Sequence, residues 1–273
     1  MNLIRHLSEA NYLKRIFIML NLPNSKKRIV NFAAVLLALL FWQILALAVN
    51  EELIVPSVFK VANRFFSLFL EKDFFSTVLF SLTRIFVGSF IGVMTGIVLG
   101  IAAGKYEPIK IIFNPYFVVA KSVPVVSFII ILLVFLPSRR LSIFISGLIV
   151  FPIIYSNTLI GFRQTDKKLL EMAKTFKLSP LSKLKFIYLP ALYPYFISSL
   201  TTACGNAWKA GIAAEILALP DGSIGNKLYK SKIYFETADM FAWTIVIVCL
   251  SFIFEKLIIM TVKYGFRLIK KDK

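Results

Sequence analysis

Residues 29–49, 85–104 and 141–162 contain no charged side chain. A run of about twenty apolar residues is the length a helix needs to cross the ~30 Å hydrocarbon core of a bilayer. The chain has 273 residues, 58% of them hydrophobic, with a mean hydropathy of +0.79. Soluble domains are nearer ~45–50% apolar. The expected fold class is therefore all-α, a polytopic membrane protein of about six transmembrane helices. The expected spans are 29–49, 80–103, 112–136, 141–162, 195–219 and 240–262, with a cytoplasmic amphipathic segment, 1–28, ahead of one transmembrane domain, 29–273.

The net charge of +18 would suggest nucleic acid in a soluble protein. Here the basic residues stand in short segments beside apolar spans, where they orient a membrane protein, and no nucleic-acid partner is expected. The excess alternates with span number. Residues 1–28 carry Arg5, Lys14, Arg15, Lys26, Lys27 and Arg28 against Glu9. The segment 163–194 carries Arg163, Lys167, Lys168, Lys174, Lys177, Lys183 and Lys185 against Asp166 and Glu171. Both termini, the loop holding Lys105 and Lys110, and residues 163–194 are thus expected in the cytoplasm. Pro137-Ser138-Arg139-Arg140 breaks the pattern, being basic yet external. Residues 50–79 read as short amphipathic helices lying against the bundle.

Inside the spans, Gly88, Gly92, Gly96, Gly100 and Gly104 recur every fourth residue, clearing side chains from one helix face. Another backbone can then approach closely, either within the subunit or across a subunit boundary. Glycine costs ~1 kcal/mol of helix propensity, so close packing must offset it. Pro115, Pro124 and Pro152 favour kinks. The fifth span, TTACGNAWKAGIAAEILA, is rich in small residues and holds Asn206, Lys209 and Glu215. Charge at mid-depth costs ~2.5 kcal/mol or more, so Lys209 is expected to face a wet cavity, a partner, or to snorkel. Asn206 shares its face. Glu215 falls near the outer surface, where exposure costs little.

The segment LLEMAKTFKLSPLSKLKFIYLP interrupts this apolar pattern at residues 169–190. Asp166 can cap a first helix reaching about Phe176. Ser179-Pro180 is a cap followed by a first-turn proline, which starts a second. Leu169, Leu170, Ala173 and Phe176 form one apolar stripe; Leu181, Leu184 and Ile187 or Tyr188 form another. Two short helices set at an angle, before Pro190 and Pro194 turn the chain into the fifth span, suit a docking element better than a solvated loop.

These residues resemble the EAA loop of ATP-binding-cassette (ABC) importer permeases. Glu171-Met172-Ala173, then Lys177, then Ile187-x-Leu189-Pro190 reproduce its spacing: E-A-A, three residues, G, nine residues, I-x-L-P. Met172 replaces the second Ala, and Lys177 stands where Gly is usual; if that position is left-handed, Lys there costs on the order of 1 kcal/mol. IVPSVFKV, SLTRIFVGSFIGVMTGIVLGIAAG, KSVPVVSF, AAEIL and SIGNKL resemble segments of the nitrate/sulfonate/taurine branch, so the likeness extends over about 53–267.

The resemblance implies a type I importer fold with cytoplasmic coupling helices in a bacterial cell membrane. It also implies a second permease copy, normally as a homodimer, two cytosolic ATPase subunits and an external substrate-binding protein. Glu171, Met172, Ala173, Phe176, Lys177, Leu181, Leu184, Ile187, Leu189 and Pro190 would couple to the ATPases. Lys121, Ser122, Pro124, Asn206, Lys209 and Glu215 would belong to the translocation pathway for a small polar or anionic solute. No Gly-x-x-x-x-Gly-Lys-Ser/Thr loop occurs, so ATP and Mg are expected on the ATPase partners and the chain itself is not expected to be an enzyme. His6 is the sole histidine and no CxxC is present, so neither a metal site nor a disulfide framework is expected. A stand-alone secondary transporter or membrane enzyme would need acidic or histidine relays within the spans, where only Glu215 and Glu255 stand, both near ends.

Overall fold

The first long apolar run forms α1 (Asn24–Val49), and nearly every large side chain along it, from Phe32 to Leu47, is exposed, as a lipid-facing helix requires. The structure is a computed structural model describing residues 24–271, with the side chains of 28–268 other than Lys121. The expected amphipathic N-terminal segment lies outside the described residues up to residue 23. The chain forms two compact units, Met1–Ala62 and Asn63–Lys273, divided within α2 (Val58–Leu68). In the first unit, Asn50 stops α1 in a left-handed conformation (φ 51°), and its N–H reaches the Ala46 carbonyl at 3.1 Å. Asn tolerates that conformation better than most residues. The Gln43 side chain accepts from the Val58 N–H at 3.0 Å.

The second unit continues with α3 (Phe74–Lys105), α4 (Glu107–Ser122), α5 (Val125–Phe135) and α6 (Ser138–Arg163). It then runs through α7 (Lys167–Thr175), α8 (Pro180–Lys183), a π-helical stretch (Leu184–Tyr188) and α9 (Leu189–Ala218). It ends with α10 (Ile224–Ile233) and α11 (Thr237–Lys271). Every regular element among the described residues is helical, as the composition requires.

The glycine stripe belongs to the subunit interior. All five glycines of α3 face α6. A methyl group on Gly92 would come within 2.6 Å of the Gly147 carbonyl oxygen, and one on Gly100 within 2.7 Å of Thr158 Cβ. On Gly88 it would overlap the Ile143 carbonyl. In a bilayer, where burial from lipid releases little free energy, this close van der Waals contact is what holds two helices together. Against the pair packs α9, the most enclosed long helix. Trp208, Cys204 and Ile212 of α9 join Ile85 of α3, Ile154 of α6, and Trp243 and Phe254 of α11 in one core. Ala210 and Ala214 of α9 meet Ile129 of α5 and Ile145 of α6 in a second.

Among the described residues, four helices are long and apolar enough to cross a membrane: 28–49, 74–105, 138–163 and 237–268. The expected third span, 112–136, is two helices bent by 101° at a break, and counts as a fifth span if taken as one. Pro115 and Pro152 lie inside continuous helices, so the break comes only at Val123-Pro124. The expected fifth span is the 30-residue α9, too polar to join the four by composition. Its small and polar residues are tolerable because protein rather than lipid surrounds most of it.

Substituting Gly88→Ala should destabilise the protein by about 1–3 kcal/mol, since backbone rather than a movable side chain blocks the methyl group. Gly205→Ala on α9, with nothing within 4 Å, should leave stability unchanged or raised. Thermal unfolding of both variants in detergent checks the contrast.

Candidate functional site

The segment after α6 folds as its caps dictate. Asp166 Oδ1 accepts the Lys168 N–H at 2.8 Å and starts α7; Ser179 Oγ accepts the Ser182 N–H at 3.2 Å and starts α8. Between them, Lys177 adopts φ +51°. The Leu178 N–H bonds the Ala173 carbonyl and the Lys177 N–H bonds that of Lys174, both at 3.0 Å. This is a Schellman turn, and its left-handed position is where the EAA pattern carries glycine. Lysine makes the same turn at a steric cost.

Ala173 is fully buried. Leu169, Met172 (51% exposed), Phe176 (70%) and Leu181 (76%) point away from it. The expected stripe is therefore split: Ala173 and the half-buried Leu170 turn inward, while Leu169, Met172 and Phe176 turn outward. Glu171, Lys174 and Lys177 are exposed around these apolar groups. Leu184 is exposed, Ile187 is buried, Leu189 is half-buried and Pro190 is exposed.

Two separate short helices were expected; the second is instead the first turn of a longer rod. Through Leu184–Tyr188 the chain widens into a π-helix, with the Leu189 N–H reaching back to the Leu184 carbonyl, and α9 follows without interruption. A π-turn shifts the hydrogen-bond register, which lets the helix pass Pro190 instead of breaking. The Tyr188 ring stacks on Phe162 at the end of α6, with centroids 4.7 Å apart and planes at 1°. The Tyr195 hydroxyl bonds Gln164. Arg163 and Lys110 both pair with Glu107, joining the ends of α6 and α4. α8 thus joins α9 as continuous helix, while the Lys177 turn separates α7 from them.

Farther along, α9 has two unlike faces. One is packed into the cores. The other presents Ser198, Thr201, Thr202 and Lys209 exposed, Asn206 half-buried, and Gly205 with no neighbour. Asn206 and Lys209 share this open polar face, as their spacing predicts. Ser122 and Pro124 are exposed at the break between α4 and α5. The side chain of Lys121 lies outside the described residues.

Glu215 is placed differently from the expectation: it is fully buried, not near an exposed outer surface. The chain after α9 folds back over it. Leu219 turns left-handed (φ 52°), and Ser223 caps α10 so that its first N–H groups point at α9 and α3. Ser81 Oγ donates to Glu215 Oε2 at 2.7 Å, the Gly225 N–H donates to the same oxygen at 3.3 Å, and Ser81 Oγ accepts the Ile224 N–H at 3.0 Å. The carboxylate satisfies a helix N-terminus from a distance, joining α3, α9 and α10. The buried Ser142 hydroxyl lies beside the same carboxylate. Glu215 is thus a structural anchor rather than a group on the open face.

A second polar junction was invisible in the sequence, where its members counted only as loop charges. Arg64 pairs with Asp239 at the start of α11 and with Glu71 at 2.6 Å, and Lys227 of α10 pairs with Asp73 at 2.5 Å. The Lys227 ammonium holds the Asp73 carboxyl below the usual carboxylate range. Among the described residues no group of three His, Cys, Asp or Glu could hold a metal ion.

Residues 92–262 match the family of binding-protein-dependent transport system inner membrane components. The chain is 25% identical to the putative aliphatic sulfonates transport permease protein SsuC of Bacillus subtilis, over 78% of this chain and 77% of that one. It is 30% identical to the nitrate import permease protein NrtB of Synechocystis, over 67% and 70%. It is 24% identical to the taurine transport system permease protein TauC of Escherichia coli, over 81% and 82%. In fold it is similar to a chain of the inward-facing MetNI methionine ABC transporter, with a TM-score of 0.50 and 16% identity, covering 69% of this chain and 93% of that one.

Lys177→Gly should stabilise the α7–α8 turn by about 1 kcal/mol, read as a raised unfolding temperature in detergent. Glu215→Ala should cost about 2–3 kcal/mol by the same measurement, because Ser81 and the α10 N-terminus lose their acceptor in a buried site.

Proposed function

The chain belongs to the binding-protein-dependent transport system inner membrane component family as an ABC importer permease of the nitrate/sulfonate/taurine type, and from that premise we propose that α7 and α8 are its ATPase-coupling element. The observation that carries this reading is the outward-facing group Leu169, Met172, Phe176 and Leu181, beside the buried Ala173. Lysines surround these apolar side chains, so the surface suits a cytosolic protein cleft rather than lipid tails. A few buried apolar and aromatic anchors carry most of the free energy of such a contact. Each of two cytosolic ATPases, with ATP and Mg, grips one permease copy of a homodimer, and both termini lie in the cytoplasm.

The π-helical connection from Leu184 to Tyr188 passes movement of the coupling helices into α9. Ser198, Thr201, Thr202, Asn206 and Lys209, together with Ser122 and Pro124, line the path between the two copies. ATP binding favours one orientation of the pair and hydrolysis the other, a rigid-body switch driven by differential binding. An external binding protein delivers the solute. The relatives are named for aliphatic sulfonates, nitrate and taurine, all carrying an anionic group, and Lys209 places a cation on the open face. A small anionic solute fits both facts.

Glu171→Lys, on the exposed side of α7, should leave membrane insertion intact while lowering ATP-dependent uptake at least tenfold. Proteoliposomes holding the permease, its ATPase and its binding protein provide the assay. Uptake at the unmodified rate would refute the coupling role.

A further inference from the structure

Arg139 and Arg140 take no part in the coupling surface or the open face of α9. They occupy the first turn of α6, directly after Pro137, and that turn contains no acidic residue. The N-terminus of a helix already carries partial positive charge, so two arginines there have the wrong sign for the position. Both are exposed, and among the described residues neither forms an ion pair. A third guanidinium adds to the excess. Arg84 of α3 donates Nε–H to the Arg139 carbonyl at 2.8 Å and lies 3.4 Å over the Phe80 ring. The acid whose charge Arg84 senses is Glu215, buried and already bonded by Ser81 and Gly225.

A groove of about 420 Å³ begins at Arg140 and runs between α3 and α6. Gly88, Gly92 and Gly147 form its floor, where the two backbones meet without side chains, and Phe151 lies at its far end. Eleven residues separate Arg140 from Phe151, which is about 16 Å at 1.5 Å per residue. Half of a ~30 Å hydrocarbon core has the same depth. The groove thus reaches from one membrane interface to the midplane, charged at the interfacial end and apolar below.

We propose that this groove holds one acyl chain of an anionic phospholipid, with the lipid phosphate on Arg139, Arg140 and the first N–H groups of α6. Guanidinium groups grip phosphate through paired, charge-assisted hydrogen bonds, and a helix N-terminus adds backbone donors. Such a ligand neutralises the misplaced positive charge and fills the crevice that the glycines leave. Only the leaflet depends on the topology proposed above: with α7 in the cytoplasm, the lipid belongs to the outer leaflet.

The full chain, purified in a neutral detergent, is equilibrated with phosphatidylglycerol and phosphatidylcholine of matched tails and examined by native mass spectrometry. The wild type should favour phosphatidylglycerol by about tenfold or more. R139Q/R140Q should lower that preference to near one. L148W, which fills the groove without changing charge, should remove one bound lipid per chain. An unchanged preference in R139Q/R140Q overturns the proposal. So does an unchanged lipid count in L148W, or dissociation of a dimer in L148W without loss of lipid, which would identify the groove's occupant as a second copy. In vesicles, labelling of S138C and K167C by an impermeant thiol reagent reads the topology separately. If K167C labels from outside, the coupling topology fails while the lipid preference is still decided by the other measurements.

Discussion

Between Gly88 and Gly104 the backbone of α3 lies directly against α6, and the remaining elements of the second unit take their positions from that contact. The two helices present a shared surface, and α9 packs on it through Cys204, Trp208, Ile212 and Ala214. Because lipid is as apolar as leucine, the bundle cannot rely on exclusion from water. It depends on contact density, and glycine provides that by removing atoms. The same removal leaves a crevice on the flank of the contact, beside Arg140. Stability and an unfilled groove have one origin.

α9 joins this rigid pair to the segment that precedes it. Its packed face is locked by Trp208 and by the carboxylate of Glu215, which ties α3, α9 and the N-terminus of α10 at one end. Its opposite end is the π-helical stretch that continues from α8. A single rod therefore runs from the buried Glu215, past an open polar face, to the exposed Leu181. Helix runs without interruption from Leu181 to Asn206 and Lys209.

The α7–α8 turn carries one departure from ideal local chemistry. Lys177 occupies a left-handed position that glycine fills without strain. The turn forms anyway because its two backbone hydrogen bonds, to Ala173 and Lys174, close it and the Ser179 cap starts the next helix. Those bonds override a local preference of on the order of 1 kcal/mol.

Residue order was enough to determine the all-helical class, the caps at Asp166 and Ser179, the four-residue glycine period and the shared face of Asn206 and Lys209. Each of these depends on helical geometry or on hydrogen bonds between residues a few positions apart. Other features came only with the fold. The glycine stripe did not name α6 as its partner, since any helix can meet a bare backbone. Glu215 looked like a surface residue by its distance along the span, and became buried because residues 219–225 fold back over it. The α8–α9 junction read as a break at Pro190, and became continuous because a π-turn changed the hydrogen-bond register. Contacts between residues far apart in the chain decide burial, pairing and register, and no short stretch of sequence encodes them.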